Sequence, residues 1–276
     1  MNTPVISIIM PARNASPYID GAIRSVQAQT WADWELLVVD NDSSDGTAEM
    51  VRTFNDPRII LLHEPQRGVG YARNKGLIHM TGAFYCFLDA DDLLPPDSLA
   101  DRAALLLADP ALHFADGGIE AFALDGSTPW TRTPDFQGQP MDELLALSGR
   151  CFVGNTWMIR RVPGPPPRFL PDMTHAEDLL FYLTIARQGN YASVGHPVLR
   201  YRVGHSSAMS DLRGLHQGYR DLVRAMRSLS PPPPEAVIAR SWHRIRSIMF
   251  RTYLKQGKPR RALAAWREPL PMGTHP

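Results

Sequence analysis

The chain has 276 residues, 44% hydrophobic and 21% charged, with a formal net charge of +1. That is the composition of a globular domain with a sizeable core, and it lacks the basic excess of a dedicated nucleic-acid binder. Two cysteines, Cys86 and Cys151, are too few for a disulfide framework, so a reducing cytoplasm is expected. No run reaches membrane-span length, and Pro and Arg stand where a signal peptide needs an apolar core; the expectation is a cytoplasmic protein, or one peripheral at the inner face of the membrane. The charge is uneven: from Asp211 onward there are 13 Lys or Arg against 4 Asp or Glu, leaving 16 basic and 24 acidic residues before it.

The first ninety residues alternate strand and helix signals. Val5–Met10 reads as a buried strand, and Ser16-Pro17 as the cap and first turn of a helix with Ile19, Ile23 and Val26 on one face. Glu35–Val39 is a second strand, followed by a helix from about Gly46 to Val51. Arg58–Leu62 is a third, and a helix from about Val69 to His79 leads to a fourth at residues 83–88, in which Cys86 is a small core hydrophobe. Such alternation implies an α/β fold with a mostly parallel sheet and right-handed crossovers.

Beyond that the chain is less regular. Ile119–Leu124 and Met158–Arg161 read as strands, Asp125–Gly138 as a loop or lid, and Pro163–Pro167 as an extended connector. A helix is expected from near Glu177 with Leu180, Leu183 and Thr184 facing inward, then one or two short strands in Tyr191–Val203. Leu215, Tyr219, Leu222, Met226 and Leu229 mark a further helix; Pro231–Pro234 breaks it, and Ile238, Trp242, Ile245, Met249 and Tyr253 mark another. The expected organisation is residues 1–95 and 96–210 as two halves of one domain, and 211–276 as a basic helical extension.

Polar clusters fall where the strands end: Pro11-Ala12-Arg13-Asn14, Asp40-Asn41-Asp42-Ser43, and Asp89-Ala90-Asp91-Asp92. In parallel sheets ligands bind beyond the carboxyl ends of the strands. Three acids packed at one strand end repel one another unless a cation sits among them, and hard oxygen donors suit Mg²⁺ or Mn²⁺, which bridge to phosphate. The competing reading is a helix cap, supplied by Asp92 or Asp97.

These segments resemble the family-2 glycosyltransferases, inverting enzymes of the GT-A fold that use nucleotide-sugar donors. The resemblance covers about residues 4–210 and rests on Val5–Asn14, Trp34–Thr47, Gly68–Gly76, Phe87–Asp92, and Glu177-Asp178 with Tyr201-Arg202-Val203 and His205. It implies that Pro11, Arg13, Asn14, Asp40, Asn41, Asp42, Arg73 and Asp89 receive the nucleotide. Asp91 becomes the direct metal ligand, with Asp89 towards ribose and metal, Asp92 capping or supporting, and His205 a further metal or phosphate contact. The cation, Mn²⁺ or Mg²⁺, would stabilise the leaving diphosphate. Asp178 becomes the base that takes the acceptor proton; its rival role is a helix cap, as an ordinary ion pair is the rival role for Arg73. The family often has Asp where this chain has Asn41, which leaves UDP, dTDP and GDP sugars open as donors.

The function implied is metal-assisted, inverting transfer of a hexosyl or related unit to a hydroxyl of a saccharide or lipid-linked acceptor, in polysaccharide or glycoconjugate biosynthesis. The alternatives are a nucleotide-sugar-binding subunit without catalysis, and a sugar nucleotidyltransferase, which would carry a Gly-rich basic loop where this chain has Pro11–Asn14. In the extension, Arg240, Arg244, Arg251, Lys255 and Lys258 share a face opposite the apolar stripe. Either the helices rest on anionic lipid, or the stripe packs on the acidic body or on a second subunit as a homodimer.

Overall fold

The four apolar runs of the first ninety residues form parallel strands β1 (Ile6–Ala12), β2 (Trp34–Asp40), β3 (Ile59–His63) and β4 (Phe84–Phe87), ordered β3-β2-β1-β4. The computed structural model describes residues 6–123, 130–152, 154–204 and 211–273. Their crossovers are helices α1 (Ile19–Gln27), α2 (Thr47–Arg52) and α3 (Val69–His79), and α4 (Ser98–Ala108) follows β4. The sheet continues through β5 (Leu112–Ala123), β6 (Thr131–Arg132), β7 (Met158–Arg160) and β8 (Asn190–Val203). β7 is antiparallel to both β4 and β5, and β8 runs parallel to β5. α5 (Met141–Leu145) and α6 (Glu177–Ile185) precede three C-terminal helices, α7 (Leu212–Ala225), α8 (Glu235–Lys255) and α9 (Pro259–Arg267).

The period-2 alternation of the strands divides the core. Ile6, Ile8, Met10, Leu36, Val38, Phe84 and Cys86 pack on one face with α1 and α4 residues such as Ile23 and Leu106. Ile9, Leu37, Tyr85 and Phe87 pack on the other with Leu77 of α3, Leu180 of α6, Leu222 of α7 and Trp242 of α8. The stripe Ile238, Trp242, Ile245, Met249 and Tyr253 therefore packs on the body of the molecule, while Arg240, Arg244, Arg251, Lys255 and Lys258 are exposed. Among the described residues, no helix is long and apolar enough to cross a membrane.

Several expectations change. α1 begins at Ile19, because Ala15–Tyr18 forms a turn in which the N–H groups of Tyr18 and Ile19 both donate to the Ala15 carbonyl. β5 starts seven residues before the expected strand, at Leu112. Its Gly117 and Gly118 are crowded by neighbouring strands: a Cβ on Gly117 would lie 2.4 Å from Val198 Cγ1, and one on Gly118 2.8 Å from the Arg132 carbonyl. β8 is a single strand of 14 residues, bulged against β5. Thr184 is exposed. α9 carried no apolar signal strong enough to register, since of its residues only Ala262 and Ala265 are buried. The loop expected over Asp125–Gly138 falls partly outside the described residues, and its described part includes β6.

Candidate active site

In register, Ala12 lies beside Asp40 and Asp40 beside His63, so the polar clusters after β1 and β2 meet on one rim. Asn14, in left-handed conformation at φ 49°, joins the two loops: its N–H donates to Ser43 Oγ at 3.0 Å and its Oδ1 accepts from the Ser44 N–H at 2.9 Å. The Ala15 N–H donates to Thr47 Oγ1 at 2.8 Å and the Ser16 N–H to Asp45 Oδ2 at 3.1 Å. Pro11, the last residue but one of β1, lies beside Val39, and Arg13 is exposed.

Asp40 is buried; its Oδ2 lies 3.4 Å from His63 Nδ1, and its Oδ1 has no hydrogen-bond partner among the described residues. A buried acceptor left open is costly unless something fills it. Asn41 is differently engaged. Its amide donates to the carbonyls of Glu64 (3.0 Å) and Gln66 (2.7 Å) and its Oδ1 accepts from the Gly68 N–H (2.8 Å), so this side chain shapes the connection between β3 and α3. Asp42, also left-handed at φ 56°, is held by Arg67 Nε at 2.7 Å, a hydrogen bond that keeps its carboxyl below the usual range.

Arg73 links the first half of the site to the second. Only 4% exposed, it donates from Nη2 to Asp89 Oδ1 at 3.1 Å and from Nη1 to Glu177 Oε1 at 2.9 Å. Phe169 and Phe87 lie against the guanidinium, at 5.2 and 5.9 Å from their ring centroids. Burial by itself would lower its pKa, but Asp89, Glu177 and Asp178 more than offset this and raise it, so the group is a fixed buried cation. Its Nε is buried and has no partner among the described residues.

The acidic turn after β4 has a division of labour of its own. Asp89 and Asp91 are half-buried and Asp92 is 2% exposed. Asp92 does not cap α4: its Oδ1 accepts from the Arg202 N–H at 2.9 Å. Asp97 holds the cap position without a capping hydrogen bond, its carboxylate taken by Thr30 Oγ1 at 2.9 Å. Arg202 also donates from Nε to the Asp91 carbonyl at 2.8 Å, so β8 fastens the turn from outside. The sequence offered one sign of this, an arginine within the closing segment. Burial, with Asp89 close by, pushes Asp92 up to about 8.

Asp178 opens α6 with Glu177, after Ala176 in left-handed conformation at φ 59°. For a residue with a Cβ that conformation costs about 1–2 kcal/mol and persists where surrounding contacts impose it. Glu177 is not a simple cap but the second anchor of Arg73. Asp178 is half-buried, and burial, then the neighbouring Glu177, raises its pKa well above the ordinary carboxylate value against the opposing pull of Arg73. A half-buried base beside a cation and two further acids, Glu177 and Asp89, can take a proton from a hydroxyl.

Among the described residues no three His, Cys, Asp or Glu side chains group tightly enough for an all-protein metal cage. Asp89 and Asp91 match the other pattern, in which one or two carboxylates share a hard cation with substrate phosphates. His205 lies outside the described residues.

A family model described as "Glycosyl transferase family 2" matches residues 7–163. This chain is a family-2 glycosyltransferase. The transferase is 33% identical over 216 residues to the UDP-Glc:alpha-D-GlcNAc-diphosphoundecaprenol beta-1,3-glucosyltransferase WfgD of Escherichia coli, covering 76% of this chain and 82% of that one. It is also 33% identical over 222 residues to the putative teichuronic acid biosynthesis glycosyltransferase TuaG of Bacillus subtilis, covering 75% and 82%. Its fold is similar to that of S. aureus TarS in complex with UDP-GlcNAc, with TM-score 0.71, 18% identity, and 95% of this chain and 78% of that one covered. The mannosyltransferase PcManGT of Pyrobaculum calidifontis, solved with GDP-Man and Mn²⁺, gives TM-score 0.63 at 22% identity, covering 96% and 74%. The transferase thus has the expected GT-A architecture, a mostly parallel sheet flanked by helices.

Proposed function

We propose that the transferase moves a sugar from a nucleotide-diphosphate donor to an acceptor hydroxyl with inversion, Asp178 serving as general base. The observation that carries this is Arg73, which ties Glu177, the neighbour of Asp178 in α6, to Asp89 of the strand-end turn through bonds of 2.9 and 3.1 Å. Asp178 takes the proton of the acceptor hydroxyl, the oxygen attacks the anomeric carbon, and the bond from that carbon to the diphosphate breaks. Inversion follows because nucleophile and leaving group occupy opposite sides of that carbon. A base with a raised pKa takes the proton more readily than an ordinary carboxylate would.

Asp40 Oδ1 is the acceptor we assign to a ring N–H of the base, which uracil, thymine and guanine all present. Asn14, Arg13, Pro11 and Asp42 form the rim around the nucleoside, with Asn41 shaping the loop beneath it. Asp91 and Asp89 would hold Mn²⁺ or Mg²⁺ between protein and donor phosphates. Such a cation supplies Lewis-acid stabilisation of the leaving diphosphate. For the acceptor we carry over the class in the name of the E. coli relative, a sugar on a lipid diphosphate.

Asp178→Asn keeps size and polarity and removes the base. We expect kcat to fall by about 10²–10⁴-fold, while the rise in Tm produced by UDP, dTDP or GDP with Mn²⁺ is retained for whichever nucleotide stabilises the wild-type protein. Undiminished turnover in the variant would remove Asp178 from the base role.

A further inference from the structure

A cavity of about 550 Å³ lies between α7, α8 and α9, lined among others by Arg213, His216, Gln217, Arg220, Tyr253 and Arg261. Among the described residues no carboxylate lines it. Arg220 is paired with Glu268, its Nη2 3.0 Å from Oε2, whereas Arg213 and Arg261 have no ion-pair partner among the described residues. Asp211, the nearby cap of α7, is engaged with the Arg213 backbone N–H at 3.0 Å. Three guanidiniums thus line the cavity, with Glu268 paired to Arg220, the Asp211 carboxylate beside Gly214 near Arg213, and Asp221 paired to Arg224.

Two further groups stand among these charges. Burial raises the Tyr253 phenol, and the main opposing pull comes from Arg261, Arg220 and Arg213 together. His216, only 6% exposed, has its Nε2 3.1 Å from Glu268 Oε2 but out of line for a hydrogen bond, and this nitrogen has no hydrogen-bond partner among the described residues. The Tyr253 hydroxyl is spent on the Leu212 carbonyl and the Gln217 amide on Asp221, so the donors left for a ligand are the guanidiniums, which are chemically matched to phosphate oxygens.

We propose that this cavity binds a phosphate-bearing anion, with Arg213 and Arg261 as its principal ligands. It is separate from the donor site, since none of its lining residues belongs to the rim of β1, β2 and β4. It adjoins the catalytic segment nonetheless, because Gly214 in its wall packs on His175, three residues before Asp178: a Cβ there would lie 2.5 Å from His175 Cε1. The phosphate can come from a soluble diphosphate group or from the headgroup of a membrane lipid, and both offer the same oxygens to the arginines.

The test uses the full chain, wild type and Arg213→Gln/Arg261→Gln, both substitutions at exposed positions. In metal-free buffer with EDTA, pyrophosphate should raise the wild-type Tm and bind about tenfold or more weakly to the double variant. Co-sedimentation with phosphatidylglycerol vesicles, against phosphatidylcholine vesicles, forms the second arm. Arginine-dependent binding of pyrophosphate alone assigns the cavity to a soluble or carrier diphosphate; arginine-dependent vesicle binding assigns it to a headgroup. If neither ligand binds, or both bind the double variant as tightly as wild type, the proposal is overturned. The Tm shift from nucleotide with Mn²⁺ reports on the donor site separately and should be the same in both proteins, so the two readings can fail independently.

Discussion

Asp116 lies fully buried in the middle of β5, where the Tyr191 hydroxyl donates to its Oδ2 at 2.6 Å and its Oδ1 has no partner among the described residues. Burial raises its pKa to about 6 despite that hydrogen bond. In the unfolded chain an aspartate titrates near 3.9, so between these values the folded state binds more protons. The sign follows from linkage: the neutral carboxyl favours the folded state fully below about pH 4, and that contribution is lost as pH rises through about 6, at most about 3 kcal/mol. Asp116→Asn keeps an acceptor for Tyr191 and cannot ionise. Its stability relative to wild type, from urea unfolding, should therefore rise from about pH 4 to about pH 7; a constant difference would show that Asp116 ionises in the folded protein as readily as in the unfolded chain. Arg73 illustrates the opposite solution. There a buried charge is retained because Asp89 and Glu177 both reach it, a fork that a lysine could not reproduce.

At the scale of elements, α7 determines how closely the C-terminal helices approach the catalytic segment. Gly218 faces His175 so tightly that a Cβ would sit 2.5 Å from the His175 carbonyl oxygen and 2.6 Å from its Cβ. Alanine is intrinsically better in a helix interior by about 1 kcal/mol, so a gain in stability from Gly218→Ala would mean the contact is looser than described. We expect a net loss of about 1–3 kcal/mol by chemical denaturation, with kcat lowered more than donor KM is raised, because the displaced segment leads into Asp178. No sequence pattern announces such an approach. The elements that were legible, β1 to β4 with α2 and α3, carry dense local signals: apolar runs ending abruptly in polar turns. The elements misplaced, β5 and α9, owe their form to neighbours. At Gly117 and Gly118, Val198 and Arg132 occupy the space where side chains would stand. The same holds in the site. The strand-end acids could be read locally, but the partners of Asp92 and Arg73 lie 110 and 104 residues away at Arg202 and Glu177, and only the fold brings them together.

For the whole molecule, the question is whether residues after 210 form an appendage or part of the core. The core on the α6 side of the sheet joins Phe87, Phe114 and Leu180 to Leu215, Leu222, Ile238, Trp242 and Ile245 without a break. Polar contacts follow the same course: Ser241 Oγ donates to the Leu145 carbonyl at 2.6 Å, and Arg187 Nη1 to the Pro231 carbonyl at 2.8 Å. Removing α7, α8 and α9 would expose one side of α6, the helix that carries Glu177 and Asp178, while the acidic turn and β1 to β4 would keep their local contacts. A chain ending at residue 210 is thus expected to keep much of its far-UV circular dichroism but lose near-UV signal, bind ANS and unfold without a cooperative transition. The full chain should show a single sharp transition under the same conditions. Cooperative unfolding of the shortened chain would mean that the sheet and α6 form a complete core and that the basic helices only rest on it.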